Sequence, residues 1–113
     1  MTDRDIQDAE AIVGRIRQQS SSELVRVTMH AHQEMLDENI VLEDVLGALR
    51  EAKMVENYPS HKRGPCCLLC GRSRSGKYLH IVCTSSLEVA IIITVYEPML
   101  PKWITPFERG KAR

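Results

Sequence analysis

Hydrophobic residues follow a helical period over most of the first fifty positions. In "DRDIQDAEAIVGRIRQQ", Ile6, Ala9, Val13 and Ile16 fall on one stripe, as in an amphipathic helix. The stretch "QQSSS" then predicts a break. In "VLEDVLGALREAK", the leucines and valines follow the i, i+3, i+4, i+7 pattern of another helix. Between them, "TMHAHQEMLDEN" has helical spacing with Thr28 as the predicted N-cap, whereas "LVRV" just upstream alternates like a strand and stays open.

After Lys53 the hydrophobic period changes from about 3.6 to about 2, the period of a β-strand. Four strands are predicted, at "MVENY", "CCLLCG", "KYLHIVCT" and "LEVAIIITVYE", and the last is apolar enough to be the expected centre of the sheet. Pro98, Pro101 and Pro106 are expected to keep the C-terminal tail out of regular structure. Helices first and strands afterwards predict an α+β fold, with two or three N-terminal helices packed on a four-stranded antiparallel sheet.

The turn between the last two predicted strands decides which side chains share a face. A two-residue turn at Ser85-Ser86 places His80 on the opposite face from Tyr96, whereas a three-residue turn places them on the same face. One residue of register reverses the face of every side chain in a strand. Both registers are compatible with the sequence.

Charge and composition restrict the possible partners. The chain of 113 residues has 15 acidic and 15 basic side chains, and only 4% of its residues are aromatic. A neutral chain lacks the general positive field that attracts nucleic acid, so any contact with RNA is expected to be local. No apolar run approaches the roughly 20 residues of a membrane span. The acidic N-terminus argues against a secretory signal, so we expect a cytoplasmic protein with reduced thiols and no membrane contact.

All four cysteines lie in "PCCLLCGRSRSGKYLHIVC", where Cys67, Cys70, His80 and Cys83 have the composition of a Cys3His zinc site. Residues three apart in a strand point to opposite faces, so using all four would require both strands to break. The favoured interpretation is therefore that the cysteines fill core positions and that no cofactor is bound. Zinc is the alternative, and Cys66 or Cys70 is a candidate accessible thiol.

The order of short motifs resembles an uncharacterised bacterial domain family. "TMHAHQEMLDENIVLEDVLGAL", "VENYP", "YLHIV", "IIITVYEP" and a final tryptophan follow one another as do that family's HA…RM…RGI segment, acidic-Tyr-Pro piece, H-[VI]-V strand and TVY strand. The family is similar to RelE-like and BrnT-like toxins, which are small α+β proteins often encoded beside a small zinc-finger antitoxin of the YgiT or MqsA kind. The resemblance, from about Thr28 to Trp103, implies a toxin-like domain that cleaves RNA and is controlled by such an antitoxin.

Three residues carry over from the family motifs to this chain. His30 takes the place of the histidine in HA, His80 that in H-[VI]-V, and Tyr96 the tyrosine of TVY. Glu34 and Glu38 stand where the family often has arginines, and they form either a solvated acidic face or a contact for a basic antitoxin arm. This reversal of charge supports an alternative function, a non-catalytic binding or regulatory domain of the same fold.

Metal-free RNA cleavage needs a base for the attacking 2′-hydroxyl, an acid for the leaving oxygen and cations for the phosphate. His80 and His30 are the candidate acid and base, and Tyr96 is the candidate donor of a proton or hydrogen bond. The other two histidines, His32 and His61, are expected to be exposed.

The turn "RSRSGK" supplies the candidate phosphate-binding cluster, Arg72, Arg74 and Lys77, although a basic hairpin turn is often only solvated. Trp103 is expected to anchor the tail against the edge of the sheet. The length of the chain predicts one domain over residues 1–113. It consists of an N-terminal helix with its serine-rich break (1–22), a family-like core (23–103) and a C-terminal tail (104–113).

Overall fold

The computed structural model describes residues 3–110, and side chains from residue 8 onward. The side chain of Ile6, a member of the predicted stripe, and the last three residues of the predicted tail therefore lie outside the described part. The helices within this range are α1 (Asp3–Ser21), α2 (Met29–Asp37) and α3 (Leu42–Arg50). The strands are β1 (Val25–Val27), β2 (Lys53–Tyr58), β3 (Cys66–Arg72), β4 (Tyr78–Thr84), β5 (Ala90–Tyr96), β6 (Trp103–Thr105) and β7 (Glu108–Arg109).

The main sheet has five strands in the order β1-β5-β4-β3-β2. Strands β2 to β5 form the predicted antiparallel meander, and the α+β class is confirmed. The prediction of a purely antiparallel four-stranded sheet is wrong, because β1 adds a short fifth strand parallel to β5. The centre of the sheet is β4 rather than the more apolar β5, whose outer side is covered by β1 and α2.

The segment that connects α1 to α2 is the part of the chain where the sequence was ambiguous. Thr28 is the N-cap of α2 as predicted, and its hydroxyl oxygen accepts a hydrogen bond of 3.1 Å from the backbone N–H of Ala31. The helix ends within "QQSSS", where the break was predicted, although α1 continues through most of this stretch to Ser21. Ser20 is buried there and donates to the carbonyl of Leu46 at 3.1 Å, which ties the end of α1 to α3.

The helices cover one face of the sheet, which we call the helix face. The core on this face combines Val13 and Ile16 of α1, Ala31 and Met35 of α2, Val45, Ala48 and Leu49 of α3, and Cys67, Leu69, Leu79, Ile81, Cys83, Ile92 and Val95 of the strands. Burial of these side chains is the main stabilising contribution to the fold. None of the helices in the described part is long and apolar enough to cross a membrane.

The opposite face, which we call the hairpin face, lies under the C-terminal segment. Strands β6 and β7 pair as an antiparallel hairpin, so the prediction of an irregular tail is wrong. Pro106 stands in the turn between the two strands and Pro98 and Pro101 precede them, where a proline removes no ladder hydrogen bond. Trp103 is 2% exposed and contacts the face of the sheet through His80, rather than the edge that the sequence suggested.

Candidate active site on the hairpin face

The structure brings His80 and Tyr96 together. The two residues are direct cross-strand partners on β4 and β5, and the imidazole Nδ1 lies 3.0 Å from the Tyr96 hydroxyl. Neither predicted turn length is correct, because the connection spans residues 85–89 and a bulge shifts the register beside Cys83. The sequence left open whether His80 and Tyr96 lie on the same face of the sheet. The pairing of β4 with β5 places them on the same face.

The C-terminal hairpin seals His80 completely. The side chain is 0% exposed, and its Nε2 lies 2.5 Å from the carbonyl oxygen of Pro106. The Trp103 indole meets the imidazole edge-on, with ring centroids 4.4 Å apart. Since a carbonyl only accepts hydrogen bonds, Nε2 carries the proton and the Tyr96 hydroxyl donates to Nδ1. Burial lowers the pKa of His80, so the ring in this closed arrangement is neutral at neutral pH.

A two-point ion pair holds the hairpin to the sheet. Arg109 on β7 donates from Nε and Nη2 to the two carboxylate oxygens of Glu56 on β2, at 2.6 and 2.7 Å. The hydroxyl of Tyr58 also donates to Glu56. The bond from Arg109 is the main reason that the pKa of Glu56 falls to about 2. Burial, followed by the bond to Glu56, raises the pKa of Tyr58 to about 12.

The guanidinium of Arg109 also stacks over the Trp103 ring, 4.7 Å from its centroid. Sequence reasoning missed both Glu56 and Arg109. No sequence signal connected them, because the two residues are 53 positions apart and a pair so distant leaves no periodic pattern.

His30 does not join His80. It lies on α2, with its side chain 70% exposed and its Nε2 3.4 Å from a carboxylate oxygen of Glu34. Because α2 packs against the helix face through Ala31 and Met35, the sheet separates His30 from the hairpin face. The predicted acid–base pair of two histidines is therefore not assembled. His32 and His61 are exposed, as predicted.

The three basic residues of the turn lie in different places rather than in one cluster. Arg72 stacks over the ring of Tyr78, 4.9 Å from its centroid, and with Phe107 these two side chains help to line a cavity of about 430 Å³ on the hairpin face. Arg74 instead approaches Gly47 of α3, where its Cγ lies 3.6 Å from the position that a β-carbon would take. Lys77 is exposed in the turn. Of the three predicted phosphate ligands, Arg72 is the one that lines the hairpin-face cavity.

The four candidate zinc ligands lie on opposite faces of the sheet. Cys67 pairs with Cys83 on the helix face, whereas Cys70 pairs with His80 on the hairpin face. The described residues contain no group of three or more His, Cys, Asp or Glu side chains that could hold a metal ion. All four thiols are buried, so neither Cys66 nor Cys70 is the accessible thiol that the sequence left open. Burial raises the pKa of Cys70 to about 11, which keeps the thiol protonated.

Glu34 and Glu38 are turned toward the sheet. Their carboxylates accept hydrogen bonds from the backbone N–H groups of Val95, at 3.0 Å, and of Glu97, at 3.1 Å. These amides lie on the outer edge of β5, beyond the three residues that β1 covers. An arginine has no acceptor for these amides, so the acidic residues at these positions have a structural reason. Because both carboxylates accept hydrogen bonds from the backbone, they are less available to solvent or to a basic partner than the sequence suggested.

Replacing Glu34 by alanine is expected to destabilise the protein by about 1–3 kcal/mol, because the buried N–H of Val95 loses its acceptor. Glu34→Gln keeps a carbonyl oxygen at this position and should cost less. Asp37→Ala is the matched control, since among the described residues Asp37 accepts from Gln33 alone, on the exposed surface of α2. The free energy of unfolding in urea measures all three changes. Equal losses for Glu34→Ala and Asp37→Ala would contradict the role given to Glu34.

The chain was also compared with known proteins. A family model described as a domain of unknown function, DUF4258, matches residues 27–97, which begin in β1 and end just after β5. The match thus includes α2, α3, strands β2 to β5 and the last residue of β1, together with His80 and Tyr96, and it leaves out α1 and the C-terminal hairpin. Neither a curated protein nor a solved structure matches the chain significantly. Because the matched segment covers more than half of the sequence, this chain belongs to the DUF4258 family.

Proposed function

We propose that this domain is a toxin-like, metal-independent endoribonuclease in which His80 is the general base. The observation that supports the proposal best is the hydrogen bond of 3.0 Å between the Tyr96 hydroxyl and His80 Nδ1, at the centre of the hairpin face. A neutral imidazole whose orientation is fixed by a second group suits the removal of a proton from a substrate hydroxyl. As in the resemblance that suggested this activity, a paired antitoxin would be its regulator.

In this mechanism, Tyr96 is a positioning residue. In the closed arrangement the proton of the imidazole is on Nε2, so His80 acts as a base in its other tautomer: Nε2 releases its proton to water and Nδ1 takes one from water. The Tyr96 oxygen then accepts the hydrogen bond from Nδ1. A phenol hydroxyl can reverse its role in this way without moving its oxygen. Burial raises the pKa of Tyr96, so the hydroxyl stays protonated and the pair carries no net charge.

The cleavage step follows from these roles. His80 Nε2 takes the proton of the 2′-hydroxyl, and the freed oxygen attacks the adjacent phosphorus. The bond from phosphorus to the 5′-oxygen breaks, and that oxygen takes a proton from water. The products are a 2′,3′-cyclic phosphate and a 5′-hydroxyl, and the imidazolium returns its proton to water. Arg72, which lies near the same face, offers a guanidinium to the phosphate.

A second candidate function is a non-catalytic binding or regulatory domain. The complete burial of His80, with a hydrogen-bond partner at each ring nitrogen, favours this alternative. A buried histidine with both nitrogens satisfied is also a sound structural element. The two candidate functions differ in whether RNA reaches His80 Nε2. Measurements of RNA cleavage distinguish them.

The direct test is cleavage of single-stranded RNA by purified protein, together with growth of a bacterial host that expresses the chain. We expect cleavage, 2′,3′-cyclic phosphate ends and growth arrest from the native chain. His80→Ala should lower the cleavage rate by about 10²–10⁴-fold, the usual contribution of a positioned base. His32→Ala is the control, because it removes an exposed histidine of α2. The proposed function would be contradicted if neither the native chain nor an Arg109→Ala variant, which lacks the ion pair that holds the hairpin, cleaved RNA faster than His80→Ala.

A further inference from the structure

The proposed base is the least accessible polar side chain of its face. His80 is 0% exposed, and within the described part of the chain the β6–β7 hairpin supplies the group that covers its Nε2. The hairpin contributes the Pro106 carbonyl to Nε2, the Trp103 ring to the imidazole and Arg109 to Glu56. RNA can therefore meet His80 only where the hairpin now lies.

The contacts that attach the hairpin to the sheet can be replaced by contacts with solvent or with a ligand. The side chain of Arg109 is 47% exposed and Phe107 is 46% exposed. The outer side of the hairpin therefore faces solvent, and the Glu56–Arg109 ion pair is partly exposed. The indole N–H of Trp103 is buried without a hydrogen-bond partner in the described part of the chain, which disfavours the closed state. Residues 97–102 connect the hairpin to β5, and β6 and β7 pair with each other rather than with a strand of the main sheet, so the hairpin can separate without breaking a ladder of the main sheet.

We infer that the C-terminal hairpin is an intramolecular occupant of the RNA-binding site and that the Glu56–Arg109 pair locks it there. The Pro106 carbonyl oxygen takes the position of a substrate oxygen at hydrogen-bonding distance from Nε2. The Trp103 ring takes the position of a nucleobase against the imidazole. This inference rests on the proposed function for the location of the substrate site, and it adds that single-stranded RNA and the hairpin compete for it.

Competition of this kind has a quantitative consequence. The apparent affinity for RNA equals the intrinsic affinity multiplied by the open fraction of the protein. Arg109→Ala removes a partly exposed ion pair, which typically contributes up to about a factor of five in an equilibrium constant. It should therefore raise the open fraction, and the affinity for RNA, by about fivefold. Loss of a cation weakens RNA binding by electrostatics alone, so the expected sign is the opposite of the nonspecific effect.

The experiment uses a 2′-O-methyl RNA oligonucleotide, which binds without being cleaved, and the full-length chain. Trp103 is the only tryptophan, so its emission reports the hairpin directly. We expect the oligonucleotide to shift this emission to longer wavelength as the indole becomes exposed, and to bind Arg109→Ala about fivefold more tightly than the native chain. Glu108→Gln, on the same strand, is the control and should leave the affinity unchanged within a factor of two, since a single surface substitution changes free energies by little.

A second measurement needs no RNA. Diethyl pyrocarbonate modifies neutral, accessible histidines, and we expect Arg109→Ala to raise the modification rate of His80 about fivefold. Exchange of the two charges, Glu56→Arg with Arg109→Glu, should restore the slow native rate.

The inference is overturned if the modification rates of the native chain and Arg109→Ala are equal. It is equally overturned if the oligonucleotide leaves Trp103 emission unchanged, or binds neither protein. Faster modification and tighter binding without any cleavage of unmodified RNA would overturn only the proposed catalysis. Cleavage by the native chain with an unmoved Trp103 would overturn only the role of the hairpin.

Discussion

Replacing Gly71 by alanine is expected to destabilise the protein by about 3 kcal/mol, at the upper end of the usual cost of overpacking. A β-carbon at this position would overlap the backbone carbonyl of Ala48, where α3 lies directly on β3. Backbone atoms on both sides leave no flexible side chain to move, so the helix and the strand must separate. The change in the free energy of unfolding, measured in urea by circular dichroism, tests this expectation.

Gly47→Ala is the matched control on the facing helix. Its new β-carbon would meet only the Cγ of Arg74, at 3.6 Å, which is ordinary van der Waals contact. Alanine is favoured over glycine within a helix by about 0.8–1 kcal/mol, so this variant should be more stable than the native protein. If both substitutions changed stability in the same direction, the close approach of α3 and β3 would not be the reason for Gly71.

Trp103→Ala is expected to cost about 3 kcal/mol, in the lower part of the range for truncating a buried large aromatic side chain. The indole is 2% exposed and contacts both the His80 ring and the Arg109 guanidinium. Part of this loss should be local, because the hairpin can detach while the main sheet stays folded. Hydrogen exchange of the backbone N–H groups of β6, compared with those of β4, separates the local loss from the global one.

Trp103→Phe distinguishes packing from hydrogen bonding at the same position. The Trp103 Nε1–H has no hydrogen-bond partner in the described part of the chain, so its removal breaks no bond. Phenylalanine keeps an aromatic ring against His80, and we expect it to cost about 1 kcal/mol, within the range for conservative hydrophobic exchanges. A loss as large as that of the alanine variant would indicate that the indole nitrogen makes a stabilising contact.

The active-site hypothesis depended on local sequence for its residues and on the structure for their arrangement. His80 was identified as a histidine among the apolar residues of "YLHIVC", and Tyr96 was identified through the resemblance to the family's TVY strand. Their pairing depended on the loop 85–89 and on a bulge, which neither turn prediction contained. His30 was implied by the HA motif of the resemblance, and α2 carries it on the other side of the sheet. Glu56 and Arg109 had no sequence signal, because a long-range ion pair leaves no periodic pattern.

By itself, the sequence determined the features that depend on neighbouring residues. The helical and strand periods gave α2, α3 and the strands β2 to β5, because each element has one buried face and its apolar spacing reports that face. The cap at Thr28 followed from the chemistry of a single hydroxyl. The rule that residues three apart in a strand point oppositely placed Cys67 and Cys70 on different faces, as the structure has them.

Tertiary structure alone decided what covers each face. The strand Val25–Val27 is too short for its pattern to outweigh the helical spacing next to it, and it forms because β5 offers a free edge. The C-terminal segment from Pro98 onward contains three prolines, and it still forms a hairpin because the Trp103 side chain is buried against the His80 ring. Contacts between residues distant in the chain depend on how the elements pack rather than on any local preference. The closed state of the proposed active site is therefore a property of the assembled fold.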